Sequence, residues 1–205
     1  MAHPSAFLRV HTEIGRRLTQ GVYPPGHRLE AEPLADEMGT SPSPVRQSLY
    51  WRCGEGLLTH HVLGGFTVPV LTEFGLRHLF SWQSELWRMG YACFKPAPAG
   101  APLLLEIERL SSQPVSCLDH ILGTIVFSHP NREVHRAWRL TTQRLAPSQF
   151  KRHEGPDPLM AWCTAFSTAL SSLNIGDLEA CASEYFQTSL DIVPQIAQAC
   201  QPTNG

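Results

Sequence analysis

No two cysteines in this chain are spaced as C-x-x-C, and none sits in a short cluster with histidine. The six, Cys53, Cys93, Cys117, Cys163, Cys181 and Cys200, are scattered. That spacing argues against a disulfide framework and a structural zinc site, and leaves buried free thiols as the ordinary reading. Long apolar runs are missing too: nothing approaches the ~20 residues a membrane helix needs. The opening stretch "MAHPSAFLRVHTEIGRRL" reads as an amphipathic helix instead of a signal peptide, so a cytoplasmic chain without membrane association is expected. An excess of positive charge is also lacking. The formal net charge is -2, so any contact with nucleic acid has to rest on local geometry. No G-x-G-x-x-G string of the kind a nucleotide needs, phosphate loop, nucleophile–base spacing or metal-ligand set occurs, which argues against an enzyme and calls for no cofactor. No internal repeat is visible.

What is present is a soluble-type composition, 42% hydrophobic and 17% charged. It is organised in two parts, residues 1–70 and 71–205. From Ser5 to Gln20, Phe7, Val10, Ile14 and Leu18 recur at three- and four-residue steps and predict a helix with one buried face, ended by Gly21. "EAEPLADEMG" predicts a short second helix stopped by Gly39. A third opens after Thr40 and Ser41, with Val45, Leu49 and Cys53 sharing a face. "LLTHHVLGGFTVPV" then reads as a hairpin, with strands over 57–60 and 66–70 bracketing Gly64-Gly65. Three helices and a hairpin make a winged helix–turn–helix, whose third helix is the kind that enters a DNA major groove.

The stretch "MGTSPSPVRQSLYWRCGEGLL" puts two prolines ahead of an arginine. Proline is harmless in a first helical turn, where amide hydrogens lack intrahelical partners. With Ser41 as N-cap, Pro42 falls at N1 and Pro44 at N3, and the hydroxyls of Ser41 and Ser43 stay at the terminus, where phosphate oxygens are well received. Arg46 follows one turn in, where a guanidinium can meet a guanine edge or a phosphate.

The second part is predicted to be all α, with helices near 72–94, 103–111, 115–128, 132–145, 159–173 and 178–199. Their wide apolar faces, such as Leu79, Phe80, Leu86 and Leu118, Ile121, Ile125, require a bundle. The fold class expected is therefore mainly α: a winged helix followed by an all-helical bundle domain.

The run from Pro24 to Glu73 resembles the winged helix of GntR-family transcription regulators. The matching pieces are Pro25-Gly26-His27-Arg28-Leu29, Leu34-Ala35, Gly39, Ser41, Pro44-Val45-Arg46, Leu49, Gly56-Leu57 and Gly65-Phe66-Thr67-Val68. The resemblance implies DNA contacts from Arg28, Ser41, Ser43, Arg46, His61, Gly64 and Gly65. Two positions depart from the family pattern: Pro33 and Pro42 stand where members often carry arginine. Within residues 1–70, six arginines are matched by six acidic residues, so modest binding with a shallow salt dependence is expected.

The helical part resembles the effector domain of the FadR/FCD branch, through "TEFGLRHLFSWQSELWRMGYACF", "LDHILGTIVFSHPNREV" and "NIGDLEACASEYFQTSL". That branch often binds a divalent metal through one aspartate and two later histidines besides the first histidine. Here His120 keeps the first histidine place, while Ser116, Phe166 and Thr188 occupy the others, so the resemblance implies a degenerate site without metal. Candidates for contacting a small organic effector are Trp82, Glu85, Arg88, His120, Trp138 and Arg139, with Met89 beside them. For His120 and the tryptophans, ordinary core packing stands as the alternative. The resemblance thus implies a homodimeric regulator, a repressor by expectation, on pseudo-palindromic double-stranded DNA. A degenerate relative, acting as a ligand-binding or protein-interaction dimer, is the other reading.

Overall fold

The structure is a computed structural model describing residues 5–62, 64–95, 114–149, 158–172 and 174–201. The chain divides into two compact units. One comprises Met1–Thr72, Gln143–Lys151 and Ile196–Gly205, the other Glu73–Thr142 and Arg152–Gln195.

In the first unit α1 (Ala6–Thr19) is capped by Ser5, whose hydroxyl accepts from the Leu8 amide at 3.2 Å. It buries Val10, Ile14 and Leu18, as its period requires. α2 (Ala31–Glu37) is only two turns long, and Gly39 ends it. The Thr40 amide reaches the Ala35 carbonyl at 3.0 Å and the Gly39 amide that of Asp36 at 3.2 Å, the paired closure in which the C′ residue adopts positive φ. Gly39 has φ 61°, which a side chain at that position would resist. α3 (Pro42–Gly54) packs Val45, Ser48, Leu49 and Arg52 inward. A single core joins these helices to Tyr23, Leu29, Leu57, Leu58, Phe66 and Val68.

The sheet has one strand more than the sequence reading. β1 (Arg28–Leu29) pairs antiparallel with β3 (Phe66–Thr67), which also pairs with β2 (Thr59–His60), giving the order β1-β3-β2. The strands are shorter than expected because Leu57 and Leu58 turn into the core and Pro69 cannot extend the ladder.

The second unit is helical: α4 (Glu73–Tyr91), α5 (Pro114–Val126), the first part of α6 (Arg132–Gln149), α7 (Pro158–Ser171) and α8 (Ile175–Asp191). Its core gathers Leu86, Trp87, Leu118, Ile121, Ile125, Trp138, Phe166, Leu178 and Tyr185. α4 and α5 meet at Gly90, where a Cβ would overlap the Val126 backbone. Asn174 caps α8 by accepting from the Gly176 and Asp177 amides.

Three boundaries differ from expectation. The helix read as 178–199 is two, α8 and α9 (Val193–Ala199), broken at Ile192 because Pro194 lacks the amide a continuous helix would use. α6 runs on through Pro147 to Gln149. The helix expected over 103–111 lies outside the described residues.

Candidate DNA interface

The inward side of α3 is set by Val45, Ser48, Leu49 and Arg52. With about 100° per residue, the opposite side carries Ser43, Gln47, Tyr50 and Gly54, all exposed. Arg46 falls on the flank next to α2. It is exposed, its side chain 50% accessible, and its guanidinium donates to Glu32 Oε1 at 2.5 Å. The other flank carries Trp51, which meets the rings of Phe7 and His11 from α1.

Ser41 takes the N-cap position in extended backbone, but its hydroxyl makes no capping hydrogen bond. The reason is Pro44: a proline at N3 removes the amide that an N-cap oxygen would most often receive. Two prolines in the first turn also delete two of the four amides an anion could use there. The expected phosphate seat is therefore narrower than the sequence implied, resting on the amide of Ser43 and the exposed hydroxyls of Ser41 and Ser43.

α3 is held to α1 by Arg52, a buried residue. Its guanidinium donates to the His11 carbonyl at 2.8 Å and to Glu55 at 2.8 Å. Gly15 makes room for it: a Cβ there would collide with the guanidinium. Ser48 adds a hydrogen bond to the His11 ring at 3.2 Å. Burial and the neighbouring Arg52 charge hold the His11 pKa below its ordinary value. The axis of α3 is thereby fixed by polar contacts inside the unit.

The wing is built on a tight turn. The Gly64 amide donates to the His61 carbonyl at 2.8 Å and the His61 amide to that of Gly65 at 3.2 Å, leaving Val62 fully exposed at the tip. Gly65 has φ 82°, which disfavours a side chain there, and a Cβ would crowd the Arg28 guanidinium at 3.1 Å. Arg28 also lies 3.5 Å from the Gly64 carbonyl and pairs with Glu30 at 3.1 Å. His61 is exposed, 2.8 Å from the Thr67 hydroxyl. Arg28, His61, Gly64 and Gly65 thus gather at one wing. Between wing and helix, Tyr50 packs on His60 and Phe66, each ring centroid 5.0 Å away.

The electrostatics are subdued. Arg16 and Arg17 are paired with Glu13, whose carboxyl is pulled down to about 2 by hydrogen bonds from Arg16 first and then Arg17. Arg17 also reaches Glu37 at 2.7 Å. With Arg28, Arg46 and Arg52, five of the six arginines in residues 1–70 carry a carboxylate partner.

Among the described residues, the effector candidates are spread over α4, α5 and α6. Trp82, Glu85 and Arg88 lie on the outer face of α4, with Arg88 paired to Glu85 at 2.7 Å. Arg88 borders a groove of about 210 Å³ with Ser84, Glu179, Ser183 and Gln187. Trp138 is a core residue, 2% exposed, packed against Gly123, whereas Trp82 is exposed on α4. Arg139 stacks on Phe127 at 4.9 Å, and His120 is half-buried on α5. Of the former metal-ligand places, Phe166 is buried and Thr188 half-buried. No group of three metal-ligating side chains occurs among the described residues. Asp119, beside His120, has its carboxyl raised to about 7 by burial. No helix among the described residues is long and apolar enough to cross a membrane.

Comparison with known proteins bears on this arrangement. No family model matches the chain. It is 32% identical over 122 residues to the HTH-type transcriptional regulator McbR of Escherichia coli K12, an alignment covering 60% of this chain and half the length of that protein. The solved structure of Escherichia coli McbR/YncC superposes with a TM-score of 0.69 at 19% identity, over 94% of this chain and 99% of that one. A putative GntR transcriptional regulator from Rhodococcus sp. RHA1 gives 0.76 at 18% identity, over 96% and 99%. The fold is that of GntR-type regulators. A winged helix with a helical C-terminal part is what these chains share, and the relatives are named as transcriptional regulators.

Sequence reasoning missed Gln47, Tyr50 and Glu32. The first two were legible: the period that buries Val45 and Leu49 sends 43, 47 and 50 outward. The Arg46–Glu32 pair was not, because it joins two helices.

Proposed function

We propose that this chain is a GntR-family transcription regulator that binds a pseudo-palindromic operator as a homodimer. The observation that carries the reading is the exposed α3 face, Ser43, Arg46, Gln47 and Tyr50, set beside a glycine wing clasped by Arg28. Residues 1–70 are the DNA-binding domain, and residues 71–205 an FCD-like effector and dimerisation domain with a degenerate metal site. The outer face of α4 favours self-association: Phe74, Trp82 and Met89 are exposed along it. In an antiparallel pairing of two copies about residues 81 and 82, Phe74 would meet Met89 and His78 would meet Glu85. The protein works in the cytoplasm as a repressor, released by a small organic effector.

Footprinting on the DNA upstream of the chain's own gene tests this. Protection of two half-sites about 10 base pairs apart is expected, lost or much weakened in Arg46→Ala. No protection at low salt, with Arg46→Ala indistinguishable from wild type, overturns it. Glu32 favours a second reading, because it occupies the recognition arginine and lowers the local field: a relative that keeps the dimer and has lost specific DNA binding. Genome-wide capture that enriches no DNA sequence while a stable protein partner is retained would select that reading.

A further inference from the structure

The residues that a family pattern singles out on α3 are not those at its crest. Arg46 is on the flank, and its charge is already met by Glu32 at 2.5 Å. Trp51 is on the other flank, against Phe7 and His11. Along the crest, Ser43 is short and Gly54 has no side chain. The Tyr50 ring is committed to His60 and Phe66. Gln47 is the long polar side chain that remains, exposed and one turn from the helix start.

We propose that Gln47 is a base-reading residue that selects adenine within each half-site, with Arg46 making the flanking contact. The inference rests on the regulator reading and names which base edge it engages. A carboxamide offers one acceptor and one amide donor side by side. Adenine presents the complementary pair in the major groove, its N6 amino group and N7. Guanine presents two acceptors there, O6 and N7, so the carboxamide oxygen would face another acceptor. The subdued charge of this unit sharpens the case. With five of the six arginines in residues 1–70 already paired, phosphate attraction is weak, and discrimination has to come from base edges.

The test uses the full-length protein and a randomised duplex library, followed by anisotropy titrations at fixed salt on the enriched duplex. Wild type should enrich a motif with a fixed adenine in each half-site. Changing that adenine to guanine, or to 7-deazaadenine, should weaken wild type about tenfold or more. Gln47→Ala, whose fold is checked by circular dichroism, should bind the adenine and guanine duplexes alike while keeping the wild-type salt slope. An enriched motif that Gln47→Ala reads with undiminished discrimination overturns the inference and leaves the regulator reading standing. Failure of wild type to enrich any motif at low salt overturns both together.

Discussion

The contact between Gly15 and Arg52 makes a prediction whose sign depends on one side chain. Gly15 lies inside α1, where alanine is favoured over glycine by about 1 kcal/mol. In wild type, however, a Cβ would push the Arg52 guanidinium from its place. Arg52 is buried and bonded at both ends, so displacement breaks its bond to the His11 carbonyl, a charged hydrogen bond worth about 1.5–3 kcal/mol. Gly15→Ala should therefore destabilise the winged-helix unit by roughly 1–2 kcal/mol, the broken bond outweighing the propensity gain. In an Arg52→Ala background the obstacle is gone. The same change should then stabilise by about 1 kcal/mol.

The coupling energy of the cycle is thus about 2–3 kcal/mol, far above the few tenths seen for independent sites. Urea unfolding of the four proteins, followed by circular dichroism and by hydrogen exchange of α1 and α3 peptides, reads the unit separately from the helical one. A coupling energy below about 0.5 kcal/mol, or a wild-type chain made more stable by Gly15→Ala, would refute the argument that Arg52 fills that space.

Four further outcomes follow from other contacts. Gly90→Ala should lower stability by about 2 kcal/mol in thermal melts, because the added methyl meets the Val126 backbone and overpacking outweighs helix propensity. Tyr91→Phe should cost about 1 kcal/mol, since the Tyr91 hydroxyl donates to the Ile175 carbonyl at 2.9 Å; an unchanged melting temperature would remove that bond from the account. Asp119, raised to about 7, keeps its proton in the folded state while the unfolded chain ionises. Its contribution is therefore intact below about pH 4 and lost as pH climbs toward 7, so Asp119→Asn should stabilise at pH 8 and be neutral at pH 3.5. Glu32→Gln should free Arg46 for phosphate, tighten DNA binding at low salt, and steepen the slope of log affinity against log salt by about one per half-site; an unchanged slope would show that Glu32 does not hold Arg46 back.

Much of the winged helix was legible because its signals are local. α1 follows from the period of Val10, Ile14 and Leu18 with Ser5 before them, and the end of α2 follows from Gly39. β1 was not legible: a two-residue strand is defined by partners far along the chain, Thr67 for Arg28 and Phe66 for Leu29, and nothing in Arg28-Leu29 alone requires pairing. Ser41 illustrates the limit of a cap rule. Its position was right, while the bond it was expected to make is denied by the proline three residues on. In the helical part the rule that proline ends a helix holds at Pro194, where α8 stops before α9, and fails at Pro147, which α6 carries inside it. The burial of Trp138 was not legible, because an aromatic on a helix says nothing about which neighbour covers it. Gly123, one turn before the end of the facing helix, leaves room for the indole and draws it into the core.

The pairing of the arginines changes what the recognition surface can do. An exposed, unpaired arginine contributes to affinity on any sequence, because every phosphate accepts it. Arg16 and Arg17 instead tie α1 together and to Glu37, Arg52 anchors α1 on α3, and Arg28 steadies the wing. These cations are used in holding the unit's shape, and the surface they would have charged is left close to neutral. Binding to random DNA is then weak, so a modest base contact separates operator from background more cleanly than it would on a strongly basic protein. In the proposed dimer that contact is made twice. If each half-site discriminates about tenfold, two together discriminate about a hundredfold, since their free energies add. A monomeric variant, made by charging the outer face of α4 with Trp82→Glu, should therefore lose most of its specificity while its fold and its weak affinity for random duplex remain. Retention of full operator specificity by such a monomer would place the discrimination outside the symmetric half-sites.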